Sequence, residues 1–271
     1  MSFKYPKISF IIPTNRHEVD WLIKVILTML PDAQITVVDD GKGLGKSAKR
    51  NVSIIRHKSN LGLAQSLLDG YQEALLTEPD FIVRADADKE YPITPIRELV
   101  GRLDDSPDCG GAYVETKRTI RTSGLIDGLF HNVFGFVEGL LLLGKPMHQH
   151  SPGLHIYKAE VVRNFLPKLE PIVKKYQLKW GLDLVCLALA QESGKLIQFT
   201  ADNPDWKERR PLHKIISQAI HATKVISAMR RYGYNQDSVI NPESSFWHNR
   251  RLTYQIWQFF LSGIFAFVYP F

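Results

Sequence analysis

Cysteine is scarce in this chain. Two residues in 271, Cys109 and Cys186, cannot form a disulfide framework or complete a four-ligand zinc site by themselves. They read as reduced, buried side chains of a cytoplasmic protein. No N-terminal export signal is expected either. M-S-F-K-Y-P-K is followed only by the short run Ile8–Ile12 before Pro13, too little for a signal-peptide core, so the protein is expected in the cytosol. No stretch rich in Pro, Gly or Ser divides the chain, no segment repeats, and no aromatic-basic motif of a nucleic-acid binder occurs. With 44% hydrophobic and 23% charged residues, the composition excludes a disordered chain, a collagen-like repeat and a multi-span membrane protein.

What is present alternates. Ile8–Ile12 reads as a strand whose ladder Pro13 ends. Trp21–Leu30 is apolar at helical spacing, Ile35–Val38 is a strand running into Asp39 and Asp40, and Val52–Arg56 is a third strand. A helix over Leu61–Leu76, a strand over Phe81–Val83, a helix over Pro95–Leu103 and a strand over Ala112–Val114 follow. The second half is less regular: an apolar helix over Leu125–Leu143 broken by Gly144 and Pro146, a strand at Gly153–Tyr157, a helix over Leu182–Gln191 and a strand at Leu196–Phe199. Apolar strands alternating with helices predict an α/β fold, a mostly parallel sheet covered on both faces. Ligands of such sheets bind at the carboxyl ends of the strands, where both acidic clusters fall.

The loop G-K-G-L-G-K-S at 41–47 fails the Walker spacing, with three residues instead of four before Gly45, and fails the dinucleotide fingerprint because position 46 is Lys. It reads as a surface loop, or as one whose backbone or Lys46 touches a phosphate. The strongest signal is Arg84-Ala85-Asp86-Ala87-Asp88-Lys89-Glu90. Acidic groups at alternate positions after a buried strand bring hard oxygens to one mouth, a donor set suited to Mg²⁺ or Mn²⁺ with phosphate oxygens completing the shell.

V-V-D-D-G, then N-L-G-L-A-Q-S-L-L-D-G-Y-Q-E-A and D-F-I-V-R-A-D-A-D-K-E-Y-P resemble the inverting glycosyltransferases of the GT-A fold, family-2 type. The polyprenyl- or dolichyl-phosphate sugar synthases are the branch most resembled. The likeness continues through T-K-R-T at 116–119, S-P-G-L-H-I-Y-K-A-E-V-V at 151–162 and G-L-D-L-V at 181–185. It implies a nucleotide-sugar donor (GDP- or UDP-linked) and a divalent metal, with Asp39 and Asp40 meeting the base and ribose and Pro13 beside them. It implies Asp86 and Asp88 as metal and diphosphate carboxylates, and Glu90 as a third ligand. Lys117, Arg118, Arg209, Arg210 and Lys214 stand where the family places positive charge toward phosphate. His148-Gln149-His150 replaces an acidic residue of the family pattern and could supply a metal ligand, a phosphate contact or a polar loop. The first loop, I-P-T-N-R-H-E, also departs from the pattern, at the place of Glu18.

Asp183 opens a helix, where a carboxylate suits the dipole regardless of function. As a functional group it is a base or positions the acceptor. A lipid-phosphate acceptor needs no strong base, whereas a soluble or glycan hydroxyl does; an inactive nucleotide- or lipid-binding scaffold is the non-enzyme alternative. A sugar nucleotidyltransferase would carry a Gly-rich basic loop after its first strand, and Pro13-Thr14-Asn15 is not one.

The expected division is a catalytic domain over residues 1–208 and a helical region over 209–271. Leu212–Met229 reads as an amphipathic helix, with Leu212, Ile215, Ile216, Ala219, Ile220, Ile226 and Met229 on one side and Lys214, Gln218, His221, Lys224 and Arg231 opposite. Leu252–Phe271 holds no charged residue and eight aromatics, after Arg250 and Arg251. It suits an interfacial or partly inserted helix at the cytoplasmic membrane face, or a contact in a homo-oligomer. Residues 207–231 carry seven Lys or Arg and one acid, which accounts for the whole net charge of +6.

Overall fold

The computed structural model describes residues 5–15, 19–41, 50–116, 125–149 and 151–202, with isolated positions between 214 and 229. Seven strands form one sheet in the order β3-β2-β1-β4-β6-β5-β7. They are β1 (Ile8–Thr14), β2 (Gln34–Asp39), β3 (Val52–Arg56), β4 (Phe81–Ala85), β5 (Cys109–Thr116), β6 (Leu154–Lys158) and β7 (Lys195–Ala201). The helices are α1 (Asp20–Met29), α2 (Leu63–Leu75), α3 (Ile96–Asp104), α4 (Leu125–Glu138), α5 (Ala159–Tyr176) and α6 (Leu182–Glu192). A π-turn, Gly139–Leu143, closes α4 and stops at Gly144 in the left-handed region (φ 69°).

Alternation along the strands sends apolar side chains to both faces. Phe10, Ile12, Val37, Val83 and Ile156 pack with Leu22 and Ile26 of α1 and Leu99 and Leu103 of α3. Ile11, Ile82, Tyr113 and Tyr157 face the other way, against α2, α5 and α6 through Leu67, Tyr71, Phe165 and Cys186. Because both faces are covered, the inner strands read as nearly continuous apolar runs, whereas the edge strands β3 and β7 expose Ser53 and Thr200.

The expected mostly parallel sheet is present, with one reversal: β6 runs antiparallel to both of its neighbours, β4 and β5. Pro13 does not end β1. Pairing with β4 stops at Ile11, but pairing with β2 continues through Pro13↔Val38 to Thr14↔Asp39, so the missing N–H costs only the ladder on one side. The sequence patterns also passed over α5, an 18-residue helix with Pro167 and Pro171 inside it. Cys186 is buried as expected, whereas Cys109 is half-buried at the start of β5.

Of the helix read over Leu212–Met229, only a few positions are described. Val225 and Met229 are buried in the core, Val225 against Gly181. Ile220, placed on the apolar side, is 42% exposed. Gln218, placed on the opposite side, is half-buried, while Lys214 and Lys224 are exposed as expected.

Candidate active site

The carboxyl ends of β1, β2 and β4 and the amino end of β6 meet along one rim, since Ala85 at the end of β4 pairs with Leu154 at the start of β6. The rim's centre is a guanidinium. Arg84 points from β4 into the space under the rim and is 1% exposed. Its Nη2 lies 2.9 Å from Asp86 Oδ1, and its Nε lies 3.1 Å from Oδ1 of Asp183 in the first turn of α6. Nη2 also donates to Asp183 Oδ2 at 3.5 Å, and Ser151 Oγ donates to the same oxygen at 3.4 Å. Both carboxylates hold Arg84 in its charged form against the cost of burial.

Asp86 is the carboxylate that opens toward solvent. Its backbone N–H donates to Gly153 O at 3.0 Å. Gly153 has to be glycine: a Cβ there would collide with Asp86 Oδ2 and stand 2.5 Å from the Tyr91 ring. Burial, with Asp88, Asp183 and Glu90 adding negative charge and Arg84 opposing them, pushes the Asp86 carboxyl up to about 7. An excess of negative charge at two open carboxylates fits a divalent cation, for which Asp86 and Asp88 would be the protein ligands and a diphosphate the remainder. Among the described residues, no three His, Cys, Asp or Glu side chains converge into a preformed metal cage.

Glu90 faces inward. It is 2% exposed, and its Oε1 accepts from Gln149 Nε2 at 2.6 Å and from Thr116 Oγ1 at 3.2 Å. Gln149 also donates to Tyr91 Oη and accepts from the Thr116 N–H, which ties the turn after β4 to the end of β5. Asp88 Oδ1 caps the Glu90 N–H across Lys89, whose φ is +65°. His148 is exposed and gives its backbone N–H to Glu115 Oε1 at 2.9 Å. Burial raises the Glu115 carboxyl, and the donors around it pull the other way.

On the β2 side, Asp39 is buried and Asp40 is 5% exposed. Asp40 accepts the N–H groups of Leu61 and Gly62 at 2.7 and 2.9 Å, which fixes the entry to α2. His57 bridges Asp40 and Asp69, with Nδ1 at 2.9 Å from Asp40 Oδ1 and Nε2 at 2.8 Å from Asp69 Oδ2. Two carboxylates on the two ring nitrogens call for the doubly protonated ring. Burial opposes that charge, but the two carboxylates prevail and the His57 pKa is raised.

The rim thus brings together Pro13, Asp39, Asp40, Asp86, Asp88, Glu90 and Asp183. Lys214 is exposed on its helix. Lys117, Arg118, Arg209, Arg210, Glu18, Lys46 and His150 lie outside the described residues, as does 252–271. Among the described residues no helix is long and apolar enough to cross a membrane. Sequence patterns missed Arg84, His57 and Gln149. The signal for Arg84 was available: a charge inside F-I-V-R-A, a strand buried along its whole length, must be paired from within.

An open α/β sheet with helices on both faces and acidic strand ends at one rim matches the GT-A fold. A likeness to one solved structure bears this out at the level of fold. Mannosyl-3-phosphoglycerate synthase from Rubrobacter xylanophilus superposes with a TM-score of 0.54 at 12% identity, covering 89% of this chain and 78% of that one. The mannosyltransferase PcManGT from Pyrobaculum calidifontis, solved in complex with GDP-Man and Mn²⁺, gives 0.48 at 15% identity, covering 84% and 64%. No curated protein matches the sequence significantly. Residues 9–166 match the glycosyl transferase family 2 profile, more than half of the chain. The protein belongs to glycosyl transferase family 2 and is a glycosyltransferase.

Proposed function

We propose that the chain is a metal-assisted, inverting hexosyltransferase that moves a sugar from a GDP- or UDP-linked donor to a polyprenyl-phosphate acceptor. The observation that carries this reading is the state of Asp183. It is 1% exposed and both of its oxygens lie within 3.5 Å of Arg84, as an ion pair at 3.1 Å and a hydrogen bond at 3.5 Å, so it is poorly placed to take a proton from an acceptor. A phosphate monoester needs no such base, because its second pKa near ~6 leaves it a dianion at neutral pH.

On the donor side, Asp39 holds the nucleoside, while Asp40 shapes the loop that receives it. Asp86 and Asp88 hold Mg²⁺ or Mn²⁺ with the diphosphate, and Glu90 keeps their turn in place from behind. The cation, when bound, offsets the charge that grows on the diphosphate as the C1–O bond breaks. Lys117, Arg118, Arg209, Arg210 and Lys214 add positive charge toward donor and acceptor phosphates. Attack on C1 from the face opposite the diphosphate inverts the anomeric centre. Residues 1–208 form the catalytic domain, and 209–271 bring it to the cytoplasmic membrane face, where two such regions could pair.

Ser151 favours a second reading. Its half-buried hydroxyl contacts Asp183, so a proton could pass from a sugar or other hydroxyl acceptor through Ser151 to Asp183. One experiment separates the two: a panel of nucleotide sugars with Mn²⁺, each offered polyprenyl phosphate or hydroxyl acceptors, for wild type and Asp183→Asn. Transfer to the lipid phosphate, with a loss under about 10-fold in the variant, is expected. A hydroxyl-only acceptor range with a loss of ~10²-fold or more selects the second reading. Absence of metal-dependent binding to every donor removes both.

A further inference from the structure

A guanidinium taken fully out of water adds little stability, because its desolvation offsets most of what its ion pairs return. Arg84 is nonetheless buried, and neither its Nε nor its Nη1 has a hydrogen-bond partner among the described residues, Nε meeting Asp183 Oδ1 as an ion pair only. Stability alone therefore does not account for it. Its geometry does better. One planar fork reaches Asp86 at the end of β4 and Asp183 at the start of α6, a residue 99 positions from Arg84 itself. Behind Asp86 stands Gly153, so the carboxylate is confined between a guanidinium on one oxygen and a backbone on the other.

We propose that Arg84 is a positioning residue for sugar transfer, which sets the separation and orientation of the Asp86 and Asp183 carboxylates and so keeps the donor and acceptor halves of the cleft in register. This rests on the function proposed above, with Asp86 on the donor side and Asp183 lining the acceptor side of the cleft. The role belongs to the fork rather than to the charge. Lysine offers one compact ammonium and cannot hold two carboxylates in a plane. A displacement of about 1 Å in a reacting group can cost ~10²-fold in rate.

The test compares Arg84→Lys, Arg84→Met, Asp183→Leu and the double variant Arg84→Met/Asp183→Leu with wild type. The readouts are thermal melting, calorimetric binding of GDP and UDP with Mn²⁺, and steady-state kinetics. Arg84→Met should lower Tm by about 10 °C, since it leaves buried carboxylates unpaired, and the double variant should recover more than half of that loss. Arg84→Lys should bind nucleoside diphosphate and donor within ~3-fold of wild type but lose kcat by ~30-fold or more. A kcat loss below ~3-fold in Arg84→Lys, or a loss confined to KM, overturns the proposal. So do melting losses that simply add in the double variant. Should wild type turn over no nucleotide sugar, the functional reading falls by itself. The melting cycle then decides the clamp: recovery in the double variant supports it, and additive losses overturn it.

Discussion

Single side chains at the rim divide into those that face the cleft and those that hold them. Asp40 shows the difference. As half of a D-D pair at a strand end it reads as a ligand-binding carboxylate, yet both of its oxygens are engaged by the N–H groups of Leu61 and Gly62, and one also meets His57. No spacing rule announces such a partner, because His57 comes from the far end of β3 and Asp69 from α2. The cluster makes a pH prediction. The His57 pKa is raised in the folded protein, so its contribution to stability is complete below the unfolded value near ~6.5 and is lost as pH rises through the folded value. The melting difference between wild type and His57→Gln should be largest at about pH 6 and shrink toward pH 9. A difference that grows over that range would refute the bridged imidazolium.

Among elements, the regular ones were legible wherever period and boundary agreed. The Val52–Arg56 strand and the helices at Leu63–Leu75 and Leu182–Glu192 follow from apolar spacing that nothing interrupts. Helix α5 was not legible, for a physical reason. Val161, Val162, Phe165, Leu169, Ile172 and Val173 form a buried helical stripe, but Pro167 and Pro171 are ordinary terminators. Both prolines are exposed, so their rings meet solvent, and what they remove is one backbone donor each. Pro171→Ala should restore the bond from residue 171 to the carbonyl of Pro167 and stabilise the protein by about 1–3 kcal/mol in chemical denaturation. Unchanged or lower stability would show that the helix is held by its buried face and gains nothing from a complete ladder.

For the molecule as a whole, composition bounded the class, and motif order carried the donor half of the site. The acceptor side proposed above was less legible, because the C-terminal pattern to which much of its positive charge is assigned fits several packings. The local concentration of Lys and Arg over 207–231, ahead of an uncharged aromatic tail, leads to one prediction at this scale. Removing 252–271 should abolish co-sedimentation with anionic vesicles while GDP or UDP binding with Mn²⁺ stays within ~3-fold. Full-length protein that is monodisperse without detergent and ignores vesicles would rule out the membrane assignment.

The reversal of β6 couples the two walls of the cleft. Because β6 runs against β4, the polypeptide enters the sheet at the same rim from which β1, β2 and β4 leave it. Ser151, Pro152 and Gly153 therefore border the cleft without belonging to the consecutive strand-helix units of β1 to β4. They are nonetheless tied to the acidic turn, since Gly153 packs on Asp86 and Gln149 holds Glu90. One backward strand thus makes the two walls of the cleft move together: a change in length just ahead of Ser151 would be felt at Asp86.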